Sequence, residues 1–218
     1  MIRFIFITLY LFTVVQLILP LDGVSQMRWS KEWEEKFEET QPSPKIMDAI
    51  GIKPGITVAE IGAGNGRLAV WLAERVGEHG KVYANDIDQE ALEFMRKRCK
   101  DQDIKNMVVV EGETTDPCLP KGMMDVVILA NTLHMVEQPL PLLKNIIPSL
   151  KSDGILAILD FDQEKLKKQG WEAKSRVVSP KDEILTLLNK AGFELVEEHK
   201  FLTYSFILLL RVKGTEGN

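Results

Sequence analysis

Apolar and polar positions along residues 51–212 form two kinds of alternating segment. Short runs rich in Val, Ile and Leu are typical of buried strands, and longer segments with an apolar residue at every third or fourth position are typical of helices. The predicted strands are residues 57–61, 81–85, 107–111, 124–129, 154–160, 193–201 and 203–212. The predicted helices are residues 67–76, 89–100, 139–150 and 180–191.

This alternation predicts an α/β fold with a doubly wound, Rossmann-like, mostly parallel sheet and helices on both faces. The last two strands are separated by too few residues for a crossover helix, so we expect them to pair antiparallel. A chain of 218 residues is long enough for one domain and a modest extension. We assign the domain to residues 51–218, with a helical lead-in over residues 27–50.

Residues 4–21 are almost wholly apolar, which sets them apart from the rest of the chain. Arg3 precedes them, and the small residues Gly23 and Ser25 follow. Residues 1–26 therefore fit either a secretory signal peptide or a retained membrane anchor. The first makes the protein exported and the second holds it at a membrane. A third interpretation is that translation starts at Met27, which makes the protein cytoplasmic.

Charge and cysteine content argue against several classes of protein. The chain has 27 Lys and Arg against 32 Asp and Glu, and a net charge of −5 disfavours nucleic acid as a partner. Its two cysteines lie outside any C-x-x-C pair, so we expect no metal site. A basic connector over residues 163–179 is either a solvated segment or a contact for an anionic substrate, with Lys165, Lys167, Lys168, Lys174 and Arg176 as its cations.

Glycines occupy every second position between the first predicted strand and the first predicted helix, at Gly62, Gly64 and Gly66. Such a loop allows positive φ and lets the backbone approach a ligand at the carboxyl edge of the sheet. The dinucleotide pattern G-x-G-x-x-G fails, because Arg67 stands at its third glycine. Asp86 follows the second strand, about twenty residues later, where an acid can accept hydrogen bonds from ribose hydroxyls.

These features together resemble the class I S-adenosylmethionine-dependent methyltransferases, over roughly residues 45–212. The resemblance implies a seven-stranded sheet whose final strand is inserted antiparallel, and S-adenosyl-L-methionine as the cofactor. The family's acid before the glycine loop corresponds to Glu60, and its ribose acid to Asp86. The cofactor-binding residues that the resemblance implies are Glu60, Gly62, Ala63, Gly64, Asn65, Gly66, Asp86, Ile87, Glu113, Thr114 and Asn131.

Methyl transfer needs the donor and acceptor held in line, and a dedicated base is optional. His134 follows the fourth strand and is our candidate base, because histidine changes charge near neutral pH. The alternative is a histidine that only packs or hydrogen-bonds locally. Asp160 ends the fifth strand at the same edge and is the second candidate catalytic residue. Asp162 is either a further candidate there or simply a helix cap.

The sequence therefore predicts a methyltransferase acting on a small-molecule or lipophilic acceptor. Methylation of amino groups on bases is disfavoured, because Asn131-Thr132 replaces the Asn/Asp-Pro-Pro-aromatic pattern. One alternative is an exported or membrane-tethered binding protein that keeps the fold without turnover. A nicotinamide oxidoreductase is a second alternative, against which Arg67 counts. Residues 4–21 give a possible membrane association, and the sequence leaves the oligomeric state open.

Overall fold

The computed structural model describes residues 30–171 and 178–214. The apolar segment of residues 4–21, and with it the predicted signal or anchor, lies outside the described residues, as do Lys174 and Arg176. The chain divides into two compact units, residues 1–39 and 40–218. Within the described ranges, no helix combines the length and the apolar character needed to cross a bilayer.

The described residues of the first unit, 30–39, begin just before helix α1 (Lys31–Thr40), which lies inside the predicted helical lead-in. The ring centroids of Trp33 and Phe37, one helical turn apart, are separated by 4.3 Å.

The second unit alternates strands and helices in the predicted order. Its strands are β1 (Thr57–Ile61), β2 (Lys81–Asp86), β3 (Met107–Glu111), β4 (Met124–Ala130), β5 (Leu150–Phe161), β6 (Phe193–His199) and β7 (Ser205–Val212). Its helices are α2 (Ser43–Ile50), α3 (Arg67–Val76), α4 (Gln89–Asp101), α5 (Pro139–Ile146), α6 (Gln163–Lys168) and α7 (Lys181–Ala191), with 3-10 turns at Leu133–Met135 and Ile147–Ser149.

The seven strands form one sheet in the order β3-β2-β1-β4-β5-β7-β6. Strands β1 to β5 pair in parallel, and β7 pairs antiparallel with both β5 and β6. The short connection between β6 and β7 leaves room only for a hairpin, so these two strands pair antiparallel. The predicted fold class is confirmed, including the inserted antiparallel strand.

Helices cover both faces of the sheet, because alternate strand residues point to opposite sides. Val58 of β1 and Val126 of β4 join one apolar cluster with residues of α2, α3 and α4. Ala59 and Val127, the next residues of the same strands, join a second cluster with residues of α5 and α7. Both faces are therefore buried, which explains the continuous apolar runs of the central strands.

The main departures from the predicted boundaries lie between α5 and β5. Helix α5 ends at Ile146 rather than at residue 150, because the ring of Pro148 does not fit a helix interior. Strand β5 begins at Leu150 and shifts its register against β4 before Ile155. At Gly154 an added Cβ would lie 2.8 Å from the carbonyl oxygen of Met124, so the bend requires glycine.

Candidate active site

The glycine loop turns sharply at the carboxyl end of β1. Gly62, Gly64 and Gly66 have φ of 71°, 56° and 76°, in the left-handed region that favours glycine. A Cβ on Gly62 would overlap Thr132, lying 2.6 Å from its Oγ1, so the loop packs directly on the turn after β4. A Cβ on Gly64 would meet no atom within 4 Å. The loop is thus tightly packed at Gly62 and open at Gly64, as a ligand cradle requires.

Asp86 joins the glycine loop to the end of β2. Its Oδ2 accepts a hydrogen bond from the N–H of Gly64 at 2.7 Å, and its Oδ1 accepts from Ile87 and Asp88 at 2.8 and 3.1 Å. The loop and the acid therefore meet in one crevice, as the sequence predicts. Asp88 has a different function, because its side chain accepts from the N–H of Glu90 and caps α4.

Glu60 lies on β1 beneath the loop and is 3% exposed. Burial raises the pKa of Glu60 to about 8, the Arg67 guanidinium opposes this rise, and the Asp86 carboxylate adds to it. Its Oε2 is buried and has no hydrogen-bond partner in the described part of the chain. An unpaired carboxyl oxygen is costly in the interior, so this position suits a ligand that carries a cationic or N–H group.

Two other loop residues are engaged within the protein. The N–H of Ala63 donates to the carbonyl of Asn85 at 2.9 Å. The side chain of Asn65, 3% exposed, accepts from the N–H of Arg67, the first residue of α3, at 3.1 Å. Arg67, where the dinucleotide pattern needs glycine, is itself buried and donates to Ser43 Oγ at 3.0 Å.

The turn after β3 lies next to Asp86, since the N–H of Gly112 donates to the carbonyl of Asp86 at 2.9 Å. Glu113 and Thr114 are exposed on this turn, which a bond from the N–H of Glu113 to the carbonyl of Asp116 closes at 2.7 Å. Ile87, on the neighbouring strand end, is 55% exposed. These side chains are thus accessible beside the crevice, and their contact with a cofactor stays a prediction.

Asn131, after β4, forms a reciprocal amide pair with Gln41. The Asn131 Nδ2 donates to Gln41 Oε1 at 2.8 Å, and Gln41 Nε2 donates to Asn131 Oδ1 at 3.0 Å. Gln41 is 2% exposed and also donates to Ser205 Oγ at 2.9 Å. Asn131 has a φ of 56°, in the left-handed region, which asparagine adopts more readily than most other residues. Gln41 was not predicted as a site residue, because it lies 90 residues from its partner and follows no local motif.

His134 and Asp160 form a hydrogen-bonded pair at the carboxyl ends of β4 and β5. The His134 Nδ1 lies 2.7 Å from Asp160 Oδ1, and the N–H of His134 donates to Asp160 Oδ2 at 3.3 Å. The Asp160 side chain is fully buried, and that of His134 is 13% exposed. A carboxylate at Nδ1 keeps the proton on that nitrogen and leaves Nε2 as an acceptor. Among the described residues, no side chain or carbonyl hydrogen-bonds to Nε2.

The basic connector does not present all its cations to a ligand. Lys165 Nζ donates to the carbonyl oxygens of Lys200, Leu202 and Ser205 at 3.0, 2.7 and 2.9 Å. Lys167 contacts the side chains of Gln163 and Glu164 at 2.9 and 2.8 Å. The ammonium group of Lys167 therefore makes contacts within α6, and that of Lys165 connects α6 to the segment that leads into β7.

The residues at either end of α6 also serve local structure. Asp162 proves to be the helix cap, since it accepts from the N–H groups of Glu164 and Lys165. Trp171 is 45% exposed and stacks on Tyr204 with ring centroids 5.2 Å apart.

Comparison with known proteins agrees with this geometry. The family model described as "Methyltransferase domain" matches residues 52–193. Because this match spans more than half of the 218 residues, the chain belongs to that methyltransferase domain family. The predicted resemblance to class I S-adenosylmethionine-dependent methyltransferases is confirmed, and so is S-adenosylmethionine as the cofactor.

Individual relatives are similar at low identity. A demethylmenaquinone methyltransferase of Lactococcus lactis is 27% identical over 163 residues, 74% of this chain and 62% of the relative. A ubiquinone/menaquinone biosynthesis C-methyltransferase of Shewanella piezotolerans is 26% identical over 70% of this chain and 62% of its own length. The chain thus spans about three fifths of both.

Among solved structures, an S-adenosylmethionine-dependent methyltransferase of Aquifex aeolicus superimposes with a TM-score of 0.74 and 26% identity. The match covers 84% of this chain and 98% of that one.

Proposed function

We propose that this protein transfers the methyl group of S-adenosylmethionine to a lipophilic small molecule of quinol type. The His134–Asp160 pair, at the same edge of the sheet as the glycine loop, is the observation that carries the proposal. The acceptor class is taken from the names of the relatives, which are quinone methyltransferases.

The crevice suits this donor in three respects. Gly64 leaves open space beside the loop backbone, Asp86 offers carboxylate oxygens for ribose hydroxyls, and Glu60 has an oxygen without a partner. When bound, S-adenosylmethionine supplies an activated methyl group on a sulfonium. The protein then has to hold the two reactants in line and exclude water.

His134 is placed to accept the acceptor's proton. Asp160 orients the imidazole through Nδ1 and stabilises the cation that forms when Nε2 becomes protonated, as an acid does beside a catalytic histidine. The acceptor atom gains the methyl carbon and loses its proton to Nε2, and the electrons of the broken C–S bond remain on sulfur. The chemistry needs no other base.

A lipophilic acceptor also gives a purpose to the apolar residues 4–21. As an anchor, this segment would bring the enzyme to the bilayer in which such an acceptor dissolves. Removing residues 1–26 is then expected to lower turnover of a vesicle-bound quinol while leaving turnover of a water-soluble analogue unchanged. Equal turnover of the vesicle-bound quinol before and after truncation would contradict the anchor.

The central experiment measures donor binding and turnover separately, with methyl-labelled donor and a panel of quinols, phenols, thiols and amines. Asp86→Ala should weaken donor binding roughly 5- to 150-fold, the range expected when buried polar partners are lost. Asp88→Ala is the matched control, because this neighbouring acid only caps α4. Donor binding without turnover on any acceptor would favour the tethered binding protein, and absence of donor binding would contradict both.

A further inference from the structure

We propose that a pocket beside His134 holds the acceptor's ring, and that Glu183 at this pocket selects a neutral hydroxylated ring over an anionic one. The pocket has a volume of about 260 Å³. The inference rests on the proposed function, because it assigns the second substrate of the same reaction.

Most of the pocket wall is apolar. Leu133 and Val136 come from the turn after β4, Pro139 from the start of α5, and Ile184 and Leu187 from α7. At about 260 Å³ the pocket is slightly smaller than the roughly 300–1,000 Å³ usual for small-molecule sites, so it suits a small ring system without a long substituent. A tail on the acceptor would therefore extend outside it.

Among the described residues of the wall, the polar ones are His134, Ser179 and Glu183. His134 lines the pocket while its Nδ1 is held by Asp160, so the candidate base borders the space assigned to the ring. Thr132, two residues before His134, packs on Gly62 of the glycine loop, so the turn that carries His134 connects the pocket wall to that loop.

Charge distinguishes this pocket from an anion site. Glu183 lies in the first turn of α7, and within the described ranges no cation pairs with its carboxylate. None of the described pocket residues is Lys or Arg. The nearby cations Lys165 and Lys181 are bound elsewhere, to carbonyl oxygens and to Glu198 respectively. The carboxylate of Glu183, on the described part of the wall, repels a carboxylate on the ring, whereas it can accept a hydrogen bond from a hydroxyl group.

The test uses the full chain in detergent and two fluorescent probes, 2-naphthol and its carboxylated analogue 3-hydroxy-2-naphthoate. The wild-type protein should bind 2-naphthol at least about 5-fold more tightly, which is the ratio produced by 1 kcal/mol of repulsion between like charges. Glu183→Gln should bring the two dissociation constants close together, and Glu183→Lys should reverse their order. Asp182→Asn is the matched control, because this neighbouring carboxylate does not line the pocket.

Leu187→Phe, which adds bulk to the wall, should weaken binding of both probes about tenfold without changing donor affinity. The inference is overturned if 2-naphthol fails to bind the wild type, if Glu183→Gln leaves the ratio of the two constants unchanged, or if Leu187→Phe binds both probes normally. Donor affinity, measured by calorimetry on the same samples, separates the two proposals. If the wild type binds the donor and turns over but one of these results occurs, the pocket assignment alone is rejected. If the wild type does not bind the donor at all, the proposed function is rejected as well.

Discussion

The two halves of the candidate active site are built differently. The half after β1 and β2 consists of backbone N–H groups and one carboxylate, and its parts lie 22 residues apart in sequence. The half after β4 and β5 consists of side-chain pairs that join residues 26, 90 and 164 positions apart. The geometry of the glycine loop depends on glycines at particular positions in one short segment. The orientation of the candidate base depends instead on residues that are distant in sequence and pack against it in the folded chain.

The sharpest test of this division is His134→Ala. General-base catalysis contributes about 10²- to 10⁴-fold, so the turnover number should fall by that factor while the donor dissociation constant stays the same. His134→Asn keeps a hydrogen-bond donor for the buried Asp160 and checks that the loss is not misfolding. His199→Ala is the control, since His199 lies on the edge strand β6. A comparable loss of donor binding in His134→Ala would erase the distinction between the halves.

Within the glycine loop, Gly62→Ala should be far worse than Gly64→Ala. Both substitutions force alanine into left-handed backbone, which costs about 1–3 kcal/mol, and Gly62→Ala adds overlap with Thr132 for about another 1–3 kcal/mol. Urea unfolding of the two variants measures the difference in free energy of unfolding. Equal losses would mean that the packing of the loop on the turn after β4 contributes nothing.

Gln41→Leu tests the amide pair that supports the half of the site after β4 and β5. It removes the partner of Asn131 and Ser205 in a buried position, and the free energy of unfolding should fall by about 1–3 kcal/mol. Gln41→Glu should not restore this stability, because a carboxylate keeps only the bond from Asn131 Nδ2, loses the two bonds that the amide donates, and buries a charge. An increase in the donor dissociation constant for Gln41→Leu would assign Asn131 to the donor half, which is the half after β1 and β2. If the variant lost no stability, the amide pair would be dispensable.

The smallest expected effect is the change in the free energy of unfolding per pH unit that comes from Glu60. Because burial raises the pKa of Glu60 to about 8, the unfolded chain loses this proton at a lower pH than the folded protein does. The contribution of Glu60 to stability is therefore greatest below the ordinary glutamate pKa and falls by about 1.4 kcal/mol per pH unit up to about pH 8. Urea unfolding at pH 5, 6, 7 and 8 should show that slope for the wild type and lose it in Glu60→Gln. Glu74→Gln, an exposed change on α3, should keep it.

The donor half was accessible from the sequence because its signals are local. Gly62, Gly64 and Asp86 follow predicted strand ends, and adjacent parallel strands bring such ends together. The strand and helix pattern likewise predicts the layers of the fold. The position of β7 between β5 and β6 came from the family resemblance, since periodicity does not specify the order of strands.

The second half was only partly accessible. His134 and Asp160 were each identified as following a strand, and their contact depends on the pairing of β4 with β5. Gln41 has no local sequence signal, because its hydrogen bonds to Asn131 and Ser205 form only when distant parts of the chain fold together. Lys165 illustrates the converse, since a basic residue suggests an anion partner, and its actual partners are three carbonyl oxygens that no sequence pattern predicts.

The turn after β3 also offers an experimental handle. Cys118 is an exposed free thiol, and its N–H donates at 2.8 Å to Asp116 Oδ1, a residue of the turn that carries Glu113. Cys99 is only half-buried, so Cys99→Ala would be needed to make labelling specific. Burial raises the pKa of the Cys118 thiol, with Asp116 and Glu113 adding to the rise, so mildly alkaline buffer favours attachment of a maleimide dye. Because Glu113 on this turn is a predicted cofactor contact, a fluorophore coupled there should report arrival of the nucleoside in real time, ahead of any chemistry.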